Sequence, residues 1–350
     1  MKAVEMLSVL ERKKALRDVA VEGSLSGLSL RGVMFSNVDF RKASFADCSV
    51  TSVTFTQCNF AGVDFTGAVF KNITLHECEL SDVDLTKQHL TQFIAANSNF
   101  SGSNLSEAII DKGAINACDF TRACFDRSQL VKTSVSKSPV EEASFIDIAW
   151  ESFSMCDTDF KGVIWQPKSI VKAVLVNCVF DQLNLSSTAF TNCSFNNSQF
   201  NEVSFARASL AHCQFIGSSI TNTDFFAANL DGCLFSQSQI TNSRFVNAQL
   251  GTANYDSATL RSVDFTRAHL HQSRFVKAEL QTVNCSDAHL IEADFSHATC
   301  NDTDFSGADL QFARFHEVQG DYTLAKQQQA VSFGTDSDRL DMEKRLGGVA

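Results

Sequence analysis

From Leu25 to Phe315 every fifth residue is large and apolar, with Ala95 the small exception. The step of five recurs through 59 positions without losing phase. A helix would repeat near 3.6 and a half-buried strand at 2, so neither explains the chain. A second stripe lies two residues before each large one and holds small or β-branched side chains, such as Val33, Val38, Ala43, Cys48 and Ala268. Two inward positions per five residues, one small and one large, describe short straight segments joined by corners. An outward polar residue, often Asp or Asn, sits between them. An array that keeps phase this long is one continuous repeat domain, although the length alone suggests about two domains.

The unit A(D/N)Lxx, seen in "ANLDG", "VDFTR", "TDFSG" and "ADLQF", resembles the pentapeptide-repeat family over residues 23–317. That resemblance implies an all-β fold: a right-handed quadrilateral parallel β-helix in which four pentapeptides make one coil. The 59 units then make about 15 coils. The chain offers its own check, because residues 20 apart should stack. Cys193, Cys213 and Cys233 share one column, as do Cys58 and Cys78. Of the 31 Phe, 26 fall on the large register, and from Leu185 onward they mostly alternate with Leu-type residues. Four sides would then place Phe in stacks on two opposite faces, where rings at ~4.8 Å coil spacing pack offset.

The ends break the pattern. Residues 1–22 read as a helical or irregular cap, with Val4, Leu7 and Leu10 on one helix side. Residues 318–350 form a partly helical tail, a helix capped by Thr335 or Ser337 running through Leu340 to Leu346. The tail reads as a lid or as a docking and dimerising element; C-terminal helices dimerise some relatives in the family. Two stretches are irregular without losing phase. Near 86–97, Gln88 and Phe93 take small sites and Ala95 a large one. Near 139–170, Ile148 and Phe153 are oversized, Lys168 sits at a small inward site, and Trp150 and Trp165 appear. These indoles read as a local widening or, turned outward, as a partner-binding patch.

Composition narrows the function. A net charge of −11 disfavours direct nucleic-acid or anionic-membrane binding and suits a protein partner. No apolar run is long enough to span a bilayer, and Glu5 and Glu11 interrupt the N-terminal stretch, which makes a poor signal peptide. A cytoplasmic site follows, with leaderless export open. Ten of twelve cysteines occupy inward sites and read as core, leaving Cys124 and Cys156 as the more exposed thiols. No nucleotide-binding or nucleophile motif is present, so no cofactor and no catalysis are expected. His269, His289 and Asp309 form an outward column, but side chains rising in parallel do not converge as a metal requires.

The first functional expectation is a non-enzymatic protein-interaction scaffold, an acidic rod. The family includes secretion effectors and companions of secretion-apparatus genes, and "LSGLSLRGVMFSNVDFRKASF" resembles the latter. The second is a DNA mimic, since acidic family members shield DNA gyrase from quinolones. Against it, 20 Lys and Arg lie within residues 23–315. The third is a structural spacer. The outward Arg261, Arg267 and Arg274, with Trp150, Trp165, Lys168, Leu340 and Leu346, are the candidate partner-binding residues.

Overall fold

The computed structural model describes residues 1–324, 328 and 331–345. The chain divides into two units, Met1–Val179 and Phe180–Ala350. Both are stretches of a quadrilateral parallel β-solenoid, which has about 14 turns in all. Residues 20 apart pair in parallel: in the second unit Ile220 pairs with Ile240, then Leu260, then Leu280. Backbone groups are used up between coils. Phe245 N–H donates to the Asp264 carbonyl at 2.7 Å, and Asp264 N–H to the Ser243 carbonyl at 3.1 Å.

Each side turns its corner through a residue with left-handed backbone, as at Asn242, Asn247, Thr252 and Ser257. A non-glycine residue there costs roughly 1–2 kcal/mol, offset by the ladder bonds that the corner makes possible. Gly67 marks a left-handed corner where an added Cβ would have to push aside the Asp47 carboxylate of the preceding coil. The outward Asp of the repeat has a structural task. Asp64, Asp224, Asp264 and Asp304 each accept the N–H two residues on, at 2.8–2.9 Å.

The core consists of ring stacks. In the second unit Phe205, Phe225, Phe245 and Phe265 stack at 4.6–5.2 Å. On the opposite side Phe215, Phe235, Tyr255, Phe275 and Phe295 stack at 4.8–5.0 Å. The two stacks meet edge to face, as Phe225 and Phe235 do at 85°. Small-site cysteines do more than fill space, since the Cys233 thiol donates to the Leu210 carbonyl at 3.0 Å. Ten cysteines are buried, and Cys124 and Cys156 are half-buried.

The ends differ from the sequence expectation in detail. Helix α1 (Ala3–Lys13) covers the first coil with Met6 and Leu10, whereas Val4 is exposed. The i, i+4 pair thus faces the core, displacing Val4 from its expected side. The ladder begins at Ala15, earlier than residue 23. There Ala15–Ser24 pairs with Met34–Ser44 across a bulge between Ala20 and Glu22. At the other end Thr303–Asp304 pairs with Tyr322–Thr323, and helix α2 spans Ser337–Arg345. Neither Thr335 nor Ser337 caps it. Asp336 does so, its Oδ1 accepting the N–H groups of Asp338 and Arg339 at 3.0 and 3.1 Å. Leu346 lies outside the described residues.

Both irregular stretches stay inside the solenoid. Phe93 and Ala95 are both buried, and Phe93 helps line a small apolar void of about 20 Å³. Gln88 is buried and its Nε2 donates to the Phe65 carbonyl at 3.0 Å.

Candidate functional site

Neither tryptophan turns outward. Trp150 and Trp165 are 1% and 3% exposed, so neither offers an indole to a partner. Trp165 stacks on Phe160 at 5.0 Å, Trp150 meets Phe145 edge to face, and Phe153 packs on Trp150 at 4.5 Å. The coil accommodates them because the oversized Ile148 and Phe153 also point inward and the lumen is filled with rings. Lys168, at a small inward site of the repeat, does not point inward. It is exposed, after a departure from the strand at Pro167, with its N–H on the Ile148 carbonyl at 3.0 Å. Turning outward avoids burying an unpaired ammonium.

The arginines project from the second unit, and each is tied to an acceptor on a neighbouring coil. Arg274 donates to Asp256 Oδ2 through Nη2 at 2.8 Å and through Nε at 3.1 Å. Arg261 Nε donates to Gln281 at 3.3 Å, and Arg267 lies 3.8 Å from Asp287. Arg244 lies 3.6 Å from Asp224 and 4.5 Å over the half-buried Phe226 ring. Arg207 approaches the same ring at 5.8 Å. Exposed pairs like these are worth about 0–1 kcal/mol each, so a competing partner can engage them. They break the acidic surface into alternating rows.

His269 and His289 stack at 4.7 Å, and the next rung is Asp309. The rings lie parallel, and desolvation, then His289 and His271, hold His269 below the ordinary imidazole value. No third donor converges on them among the described residues.

A cluster that the sequence reading missed lies where α2 meets the solenoid. His297 Nε2 is 3.4 Å from Glu343 Oε1, and His316 Nε2 is 3.3 Å from Oε2. These separations suit a tetrahedral metal, but the surroundings do not. The Asp336 N–H donates to His316 Nδ1 at 3.0 Å, so the neutral ring carries its proton on Nε2. A metal-bound histidine donates its far nitrogen instead. Arg339 Nε also donates to Glu343 Oε1 at 2.8 Å, placing a guanidinium beside the prospective ion. The cluster is a latch for α2. Arg339 first, then His316, holds the Glu343 carboxyl below its ordinary value. Leu340 is half-buried on the same helix.

The family model "Pentapeptide repeat region" matches residues 21–85 and 188–254. "Pentapeptide repeats (8 copies)" matches 78–112 and 284–318, and the two models together cover more than half of the chain. The chain belongs to the pentapeptide-repeat proteins. Solved relatives include HetL, a pentapeptide repeat protein involved in heterocyst differentiation regulation in the cyanobacterium Nostoc. It is 16% identical over 89% of this chain and 96% of its own, with a TM-score of 0.21. A pentapeptide-repeat protein of the Arabidopsis thaliana thylakoid lumen is 26% identical over 35% of this chain and 81% of its own, at 0.22. QnrB1, a plasmid-mediated fluoroquinolone resistance protein, is 16% identical over 93% and 100%, at 0.18. No curated protein matches the chain. No helix among the described residues is long and apolar enough to cross a membrane.

Proposed function

We propose that this pentapeptide-repeat solenoid is a non-enzymatic scaffold that binds a protein partner through its outward side chains. One observation carries the reading: the repeat spends its inward residues on the core and its outward Asp on corner hydrogen bonds. What remains is a rigid lattice of half-exposed charged rows, including Arg261, Arg267 and Arg274. Such a lattice gives steering and specificity to a protein partner and holds no reacting centre. The cytoplasm, and association with a secretion apparatus, belong to the same proposal.

The test is affinity capture from the cytoplasm of the source cell, comparing the wild type with Arg261→Glu/Arg267→Glu. Capture of a specific protein by the wild type, reduced in the variant, is the expected result; no specific capture by either overturns the scaffold. The DNA-mimic reading is carried by the net charge of −11 alone. The pairing of Arg244, Arg267 and Arg274 with Asp224, Asp287 and Asp256 interrupts the acidic surface such a mimic needs. Inhibition or protection of purified gyrase in a supercoiling assay would restore it. The spacer reading predicts that removal of one 20-residue coil is tolerated.

A further inference from the structure

In the unit Phe180–Ala350 the exposed large apolar side chains among the described residues are Phe312, Val331, Phe333 and Met342. All lie at its C-terminal end. Phe312 is 48%, Val331 43% and Phe333 55% exposed. The rings of Phe312 and Phe333 meet with centroids 6.1 Å apart. Phe312 also stands at a left-handed corner, at φ 60°, where every other described corner of this kind carries Gly, Ala or a polar residue. Bulky side chains avoid that backbone. The final rung does not require the ring, because backbone groups hold it. Phe312 N–H donates to the Val331 carbonyl and Phe333 N–H to the Ala313 carbonyl, both at 2.8 Å, and Phe315 N–H to the Phe333 carbonyl at 2.7 Å. A half-exposed aromatic kept in costly backbone, beside a second exposed ring, points to a ligand.

Arg314 selects the occupant. It pairs with Phe333 as the preceding rung and walls both grooves that Phe333 lines. Arg244, Arg261, Arg267, Arg274 and Arg339 each have a carboxylate within 4.0 Å. The exposed Arg314 guanidinium has neither an ion-pair nor a hydrogen-bond partner among the described residues. The acids of the two grooves are already engaged. Glu292 accepts from Gln272 Nε2 and Asp294 from the Ser296 N–H, both at 2.9 Å, and Asp336 caps α2. An apolar body laid on the two rings with a carboxylate on Arg314 uses both features, since a guanidinium takes a carboxylate through paired N–H donors. An ammonium in the same place would be set against Arg314.

We propose that Phe312, Phe333 and Arg314 form a docking site for an acidic segment of a partner protein, one that offers an apolar side chain beside a carboxylate. The site rests on the scaffold reading but uses neither Arg261 nor Arg267. The experiment titrates the full chain with 3-phenylpropionate and 3-phenylpropylamine, which share an apolar body and differ in charge, by saturation-transfer NMR. The wild type should bind the propionate with a dissociation constant on the order of a few millimolar, and the amine about threefold or more weakly. Arg314→Glu should reverse that preference, with circular dichroism to check its fold. Phe312→Asn should weaken the propionate about fivefold with an equal or higher urea midpoint, because Asn suits a left-handed corner. Arg261→Glu/Arg267→Glu should leave the probe unaffected, so failure of the scaffold and failure of this site are read separately. Absent or amine-equal binding by the wild type, binding indifferent to Phe312→Asn or Arg314→Glu, or a lowered midpoint in Phe312→Asn each overturns the proposal. So does sedimentation of a wild-type dimer that Phe312→Asn separates, which would make a second copy the occupant.

Discussion

Tyr255 stacks between Phe235 and Phe275, fully buried, with no partner for its hydroxyl among the described residues. An unsatisfied buried hydroxyl costs about 1–3 kcal/mol. Tyr255→Phe should therefore stabilise the protein by about 1 kcal/mol, read as a raised denaturant midpoint with unchanged slope. An equal or lower midpoint would mean that the phenol has a bonded partner in solution. Phe93 and Ala95 show the opposite kind of irregularity, a large residue at a small site two before a small residue at a large one. Both are buried, and Phe93 reaches Phe100 at 6.2 Å. Phe93→Ala should cost about 3–5 kcal/mol and Ala95→Phe about 1–3 kcal/mol by overpacking. The pair together should recover most of the loss, which chemical denaturation of the three variants measures. Strict additivity would show that the two sites do not share volume. The anomaly is plain in the sequence; the compensation is not, because it depends on where each side chain enters the lumen.

At the scale of the element, α2 is a polar helix held by Glu343 between His297, His316 and Arg339, with Asp336 at its start. Because the Glu343 carboxyl sits below its ordinary value of 4.5 when docked, its contribution is present above that value. It is lost as the pH falls through the lowered one. Protection of the amides at 337–345, measured as exchange relative to the intrinsic rate at each pH, should fall on acidification, and Glu343→Gln should lower it at neutral pH while removing that pH dependence. Unchanged exchange in Glu343→Gln would show that the latch does not hold the helix. A helix near 337 was legible from its composition, but its docking was not. His297 lies at a corner and His316 on a side, 19 residues apart, so no search by 20-residue columns joins them. Glu343 lies beyond the repeat altogether.

For the whole molecule the buried thiols act together. Burial pushes Cys118 up to about 11 and both Cys178 and Cys300 up to about 12, and raises Cys233 and Cys285 as well. A raised value means that stability is fully present below the unfolded thiol's 9.0 and declines as the pH climbs toward the folded values. Urea midpoints should fall between pH 8 and pH 11, while native thiol labelling reaches only Cys124 and Cys156; a flat pH response would refute this account. The period of five determined which positions face inward, and with them the burial of the Phe and of most cysteines, because a strict repeat gives every position the same environment; the four-sided solenoid was implied by the resemblance to pentapeptide repeats. The direction of the two indoles, the outward turn of Lys168, the early start at Ala15 and the cap at Asp336 were decided by the tertiary structure. Each depends on local volume or a single backbone donor. The Phe312–Phe333 patch and the α2 latch were decided there as well, since both arise from residues about a coil or more apart in sequence that only the winding of the chain brings side by side.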